Sequence, residues 1–273
     1  MSKILEASEN AEEMELDPRN YLIKVYLAGS SGTGKTQGSM SMPGRKLLID
    51  IDGRAESVVG TKDLHIIRCF EPDPKSPKAW DMLEKIQRGI VADIKAGDFP
   101  FESIIYDGLT MMSRVAMNWA LLLDNKRGLG GSPAQQHYGP QMNSLSKFIL
   151  SSLTVPRHIC YTGHIELHED EGGKQLFYPK ITGKLRTELP NWFNETYCTY
   201  RVKDDEEKTK YCWLTAGSGK YTFFKSSLNR LGKHWEDPIE IDFDKEPVGF
   251  QDLLTRRFGD AWKEKEVKEN VEK

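Results

Sequence analysis

LIKVYLAGSSGTGKT, residues 22–36, decides how this chain reads. Leu22–Ala28 is apolar apart from one lysine, the pattern of a strand buried on both faces. GSSGTGKT, Gly29–Thr36, follows at once and fits G-x-x-x-x-G-K-[ST]. Glycines at 29, 32 and 34 let the backbone turn tightly and aim successive N–H groups at phosphate oxygens. A helix from Thr36 onward adds its positive N-terminal end. Gly29, Ser30, Ser31, Gly32, Thr33, Gly34, Lys35 and Thr36 therefore form the candidate nucleotide loop. Lys35 reaches the β- and γ-phosphates, and Thr36 offers its hydroxyl oxygen to Mg²⁺. The cofactors this loop implies are ATP and Mg²⁺.

Four further apolar runs read as strands: Lys46–Ile51, His65–Phe70, Ser103–Tyr106 and Arg157–Thr162. Helical stretches alternate with them at Lys78–Ala96, Thr110–Leu123 and Pro140–Leu153. Alternation of this kind predicts an α/β fold, a mainly parallel sheet flanked by helices. Beyond Asn191 the texture is β-rich, in NETYCTYRV, KYCWLTA and YTFFKSS, with DDEEKTK as a charged turn. These segments add antiparallel strands at the C-terminal end of the same sheet. Residues 1–17 read as a flexible acidic leader, 18–262 as a single domain, and 263–273 as a charged tail.

The charge balance is 38 − 41 = −3, so a nucleic-acid site has to come from local basic clusters. No apolar run approaches the ~20 residues of a membrane span, and the acidic start lacks the apolar core of a signal peptide. The expected location is the cytoplasm. Cys69, Cys160, Cys198 and Cys212 form no C-x-x-C pair and lie in strand-like runs, so they read as reduced, buried hydrophobes.

A phosphate loop needs an acid on the metal side. In ESIIYDGLT, residues 102–110, Asp107 stands where a buried strand stops and is the candidate Mg²⁺ residue, with helix capping as a second role. In LLIDIDGRAES, residues 47–57, Asp50 and Asp52 alternate, so both are expected on one side of the strand. Either carboxylate can orient the attacking water, and Asp52 is nearer the sheet edge. Arg54 follows as a candidate phosphate or subunit contact. CYTGH, residues 160–164, ends the fifth strand on His164, where a neutral imidazole can donate to a γ-phosphate. His164 and His168 also have the i, i+4 spacing of a helical metal pair, but the gap reads as extended and no third ligand follows. Lys35, Asp52, Asp50 and His164 are the candidate catalytic set.

This order of parts resembles the RecA-type recombinase core. It is most similar to the compact phage ATPases of that superfamily that act with single-strand annealing and single-strand binding proteins. The resemblance covers roughly residues 20–230. It implies a RecA-like P-loop fold, a ring or filament of identical subunits, and two loops facing single-stranded DNA. The first is Asp124–Gly139, with Lys126 and Arg127; the second is Ile165–Thr187, with Lys174, Lys180, Lys184 and Arg186. His137, Phe177 and Tyr178 offer ring faces to bases, while Glu166 and Glu169 to Glu171 make the near half of the second loop acidic. A β-hairpin against the core and a protein-binding surface are the alternatives for this segment. Lys225 and Arg230 are the candidate fingers into a neighbour's nucleotide, where charge on the γ-phosphate would be stabilised. Asp where RecA carries Glu, and His where it carries Gln, imply an assisting role in recombination, annealing or replication. Two other readings stand beside it: a nucleotide-gated protein-binding module, and a small-molecule phosphotransferase.

Overall fold

The computed structural model describes residues 17–124, 132–169 and 172–263. Nearly all of the leader, the end of the tail, and Lys126 and Arg127 lie outside the described residues. From the N-terminus, strand β1 (Lys24–Gly29) leads through the phosphate loop into helix α1 (Lys35–Ser39). Strands β2 (Lys46–Asp50) and β3 (Leu64–Arg68) follow, then helix α2 (Ala79–Ala96), strand β4 (Ser103–Asp107) and helix α3 (Leu109–Leu122). Helix α4 (Gln135–Leu153) precedes β5 (His158–Gly163), which runs into β6 (Ile165–Glu169) and β7 (Gln175–Pro179). After the single-turn α5 (Leu185–Glu188) come β8 (Glu195–Lys203), β9 (Thr209–Leu214), β10 (Lys225–Ser226), β11 (Ile239–Ile241) and α6 (Gly249–Phe258).

The main sheet has the order β11-β9-β8-β1-β5-β4-β2-β3, and β10 pairs with the start of β8. From β8 to β3 every pairing is parallel, which is the predicted mainly parallel sheet flanked by helices. The C-terminal strands β9, β10 and β11 are antiparallel as expected, but β8 joins β1 in parallel. Alternate residues of each central strand feed opposite cores. Tyr26, Ile49, Tyr106 and Tyr161 pack under α2, α3 and α4, while Leu27, Leu48, Ile105 and Cys160 pack under α6. Both faces are buried, so these strands are apolar throughout instead of alternating. The four cysteines are buried and free. Among the described residues no helix is long and apolar enough to cross a membrane.

Three local departures have physical causes. Helix α1 stops after five residues: the Ser39 and Ser41 hydroxyls donate back to the carbonyls of Thr36 and Gly38, and Pro43-Gly44 follows. Helix α4 starts five residues before the expected Pro140. Its first turn is tied by His137, whose Nδ1 accepts the Ala134 N–H at 2.9 Å and whose Nε2 lies 3.2 Å from Asp124. His137 is buried by this work and offers no face to a base. In the segment read as a loop over Ile165–Thr187, the alternative of a hairpin holds for its first part: β6 pairs antiparallel with β7. Phe177 stacks on Tyr221 at 4.8 Å and Tyr178 packs on Phe223 at 4.6 Å, so each ring already has one face covered. His168 lies within the extended strand β6, so the helical spacing of His164 and His168 does not apply.

Candidate nucleotide site

The carboxyl ends of β1, β5, β4 and β2 lie side by side. The chain leaving each of them brings a polar group to one cleft of about 420 Å³. Ser31, Gly32, Gly34, Lys35 and Thr36 line it from the loop; Gly29, Ser30 and Thr33 do not. The Thr33 hydroxyl is buried and staples the loop, bonding the Ser30 carbonyl at 2.9 Å and the Thr199 hydroxyl of β8 at 2.6 Å. Gly34 has φ +80° and sits against Tyr211 and Phe243, so a side chain there meets both strain and a wall.

Thr36 and Asp107 meet at the metal position. The Thr36 hydroxyl donates to Asp107 at 3.0 Å, and the Thr162 hydroxyl donates to the same carboxylate. Thr162 also accepts the Gly108 N–H at 3.0 Å, which fixes the turn after β4. Burial pushes the Asp107 carboxyl above its usual range, and the two threonine bonds pull it back. An oxygen-only pair of one hydroxyl and one carboxylate, beside a phosphate loop, suits Mg²⁺, which completes its octahedron with water and phosphate oxygens. The residues present therefore fit the ion: Thr36 and Asp107 would hold it, and it would neutralise charge on the β- and γ-phosphates.

Asp50 and Asp52 separate in space, contrary to the shared side expected of them. Strand β2 ends at Asp50, so strand alternation no longer governs Asp52. Asp50 is fully buried, and its Oδ1 accepts the N–H groups of Gly53 at 2.7 Å and Arg54 at 3.1 Å. Its Oδ2 has no hydrogen bond, with Arg68 Nε 3.5 Å away as an ion-pair partner. Asp50 thus shapes the turn, and Asp52 is the carboxylate that lines the cleft. Gly108, at φ +115°, makes room for it, since a Cβ there would overlap the Asp52 carboxylate. Burial, then the negative charge of Asp50, raise the Asp52 carboxyl, while Arg54 and Lys35 lower it. A carboxylate of raised basicity is suited to accept a proton from water.

Lys35 Nζ donates to the carbonyls of Gly29 at 3.1 Å and Ser30 at 2.6 Å, and burial lowers its pKa. His164 Nδ1 stands 3.3 Å from the same Gly29 carbonyl. Burial, then the nearby Lys35 charge, lower its pKa, so the ring is neutral at pH 7. That geometry puts the single ring proton on Nδ1, facing Gly29. Donation to a γ-phosphate, the role read from the sequence, requires the ring to give up this bond.

The other predicted contacts among the described residues do not line the cleft. Lys174, Lys180 and Lys184 are exposed on the hairpin and just after it. Arg186 is turned inward, donating from Nε to the Gly183 carbonyl at 3.0 Å and from Nη1 to the His168 ring, so it is not a free phosphate contact. Lys225 and Arg230 line a separate hollow by the start of β8, at the opposite end of the sheet from the loop. Sequence reasoning missed Tyr211, Thr162, Gln37 and Ser57 as cleft residues. Thr162 had a signal, being the polar residue two before His164 at a strand end. Tyr211 had none, because it arrives through the pairing of β8 with β9.

A family model described as AAA domain matches residues 22–223. The chain belongs to the AAA domain family. It is a nucleotide-binding P-loop ATPase domain, and the match does not extend to the narrower likeness with phage recombination ATPases. No curated protein matches the sequence. Among solved structures it is similar to the ATPase DotB of Legionella pneumophila, with 11% identity and a TM-score of 0.31 over 78% of this chain. It spans 48% of that protein's length.

Proposed function

We propose that this AAA domain hydrolyses ATP with Mg²⁺ and uses the nucleotide state to set the β6–β7 hairpin against single-stranded DNA, assisting recombination, annealing or replication. His164 carries the reading. Its ring meets the loop carbonyl of Gly29, its N–H donates to Thr110 at 3.0 Å, and its carbonyl accepts the N–H of Lys180 at 2.8 Å. One residue therefore joins the phosphate loop, the start of α3 and the end of the hairpin. A γ-phosphate competes with the Gly29 carbonyl for the donors of both Lys35 and His164, and movement of His164 is felt at Lys180. Asp52 takes the proton of the attacking water, Lys35 meets the phosphate charge, and the cleft walls hold the triphosphate in line; Thr36 and Asp107 would hold Mg²⁺, which would supply further positive charge there.

Lys174, Lys180, Lys184 and Lys220 are exposed on and beside the hairpin and supply backbone contacts, with Tyr221 and Phe223 behind them. Lys225 and Arg230 face away from their own cleft, as residues serving a neighbouring copy in a ring or filament would. A single-strand binding or annealing protein is the natural accessory partner. A second reading rests on Leu167, 43% exposed between Glu166 and Glu169, which suits a protein partner on the hairpin. ATP hydrolysis with and without single-stranded DNA, at low and raised salt, separates the two. Stimulation that fades with salt supports DNA; turnover blind to DNA at both salts refutes it and favours the protein partner.

A further inference from the structure

Behind the cleft lies a second chamber, of about 410 Å³, that shares Asp52, Arg54 and His164 with it. Its remaining walls include Phe70, Thr110 and Arg114. Arg114 is exposed and makes no hydrogen bond or ion pair with any described residue. The Arg54 guanidinium likewise has none, its backbone N–H alone being bound, to Asp50. Arg54 and Arg114 thus both line a hollow whose other titratable walls are Asp52 and His164. Guanidinium forks not already hydrogen-bonded match the oxygens of a phosphate, which they hold bidentately.

We propose that this chamber receives the inorganic phosphate cleaved from the nucleotide, while ADP stays on the loop. The inference rests on the hydrolytic reading above. In that step a water oxygen adds to the γ-phosphorus, and the bond to the β-phosphate oxygen breaks with its electron pair leaving on ADP. The water proton passes to Asp52. Arg54, which lines both spaces, can follow the new phosphate across. Phosphate then leaves without ADP having to dissociate first. The half-exposed Phe70, 40% accessible, forms the apolar lip of this exit.

The test is binding of inorganic phosphate to the full chain saturated with Mg²⁺ and ADP, by titration calorimetry, for the unaltered protein and for Arg114→Gln. The expected result is one phosphate site beside bound ADP, weakened tenfold or more by Arg114→Gln, with ATP affinity unchanged. Arg114 is exposed and lies outside the nucleotide cleft, so the variant folds. Phosphate that binds only when ADP is absent, or equally well to the variant, overturns the proposal. If the chain fails to hydrolyse ATP, the hydrolytic reading falls, while the phosphate titration still judges the chamber.

Discussion

Thr162→Val tests how the metal-side acid is held. Valine keeps the shape of threonine and deletes its hydroxyl. That hydroxyl is buried and serves two partners, accepting the Gly108 N–H at 3.0 Å and donating to Asp107. A buried N–H left without an acceptor costs about 1–3 kcal/mol, and a hydrogen bond to a charged group contributes about 1.5–3 kcal/mol. Both effects pass through one oxygen and are not additive, so the expected loss is about 2–4 kcal/mol. Urea unfolding without nucleotide reads it as a lower midpoint at unchanged slope. Asp107 also loses the larger of the two bonds that favour its ionised form. Its carboxyl then rises further, and the proton competes better with Mg²⁺. The Mg²⁺ concentration for half-maximal ATP binding should rise, and rise more at acidic than at alkaline pH. A stability loss under ~0.5 kcal/mol, within the range of a neutral surface change, together with an unchanged Mg²⁺ requirement, would refute this account of the turn.

Lys35→Ala should abolish nucleotide binding measured directly, because the loop loses the cation that meets the β- and γ-phosphates. Asp52→Asn should bind Mg²⁺ and ATP normally and slow hydrolysis by roughly 10²–10⁴, the usual worth of a general base; normal turnover would move that role elsewhere. Glu195 is fully buried and accepts from Tyr21, Tyr197, Ser227 and Leu228, so Glu195→Ala should lower stability by at least about 3 kcal/mol in denaturant through the donors it orphans. Burial raises the Asp107 carboxyl above 3.8, so its proton contributes stability that is full below that unfolded value and is lost as pH rises through the folded one. Asp107→Asn, without nucleotide, should therefore gain stability relative to the unaltered protein from about pH 4 to neutrality; a gain in the opposite direction contradicts the burial argument.

What was legible in the sequence is what local chemistry dictates. The phosphate loop is a backbone shape set by nearby glycines after a buried strand, and the acid at 107 marks the end of a strand apolar on both faces. Asp50 and Asp52 mark the limit of that logic. Alternation holds only while the strand lasts, and β2 stops at the first of the two. The hairpin stood in the sequence only as an alternative to a loop, for another reason. Gly172-Gly173 and the flanking acids read as loop, whereas Phe177 and Tyr178 are held by Tyr221 and Phe223, more than forty residues later. Tyr211 likewise reaches the cleft only because β9 pairs with β8, which pairs with β1. Contacts made by long-range pairing leave no signature at their own position.

The Gly29 carbonyl is where these threads meet. It ends the strand that founds the fold, and it accepts from both Lys35 and, at longer range, His164. A carbonyl with two lone pairs can satisfy both at once, and neither donor is lost to solvent. A γ-phosphate offers the same two donors a charged acceptor, and for the neutral His164 ring this replaces a neutral bond by a charge-assisted one, about twice as strong. Under the proposed function, capture of the phosphate would release Gly29 and draw the His164 ring toward the nucleotide. The carbonyl of the same residue holds the Lys180 N–H, so the proposed sensor and the foot of the hairpin share one residue. The same residue also walls the second chamber, so the proposed sensor of the γ-phosphate stands beside the proposed exit for the cleaved phosphate.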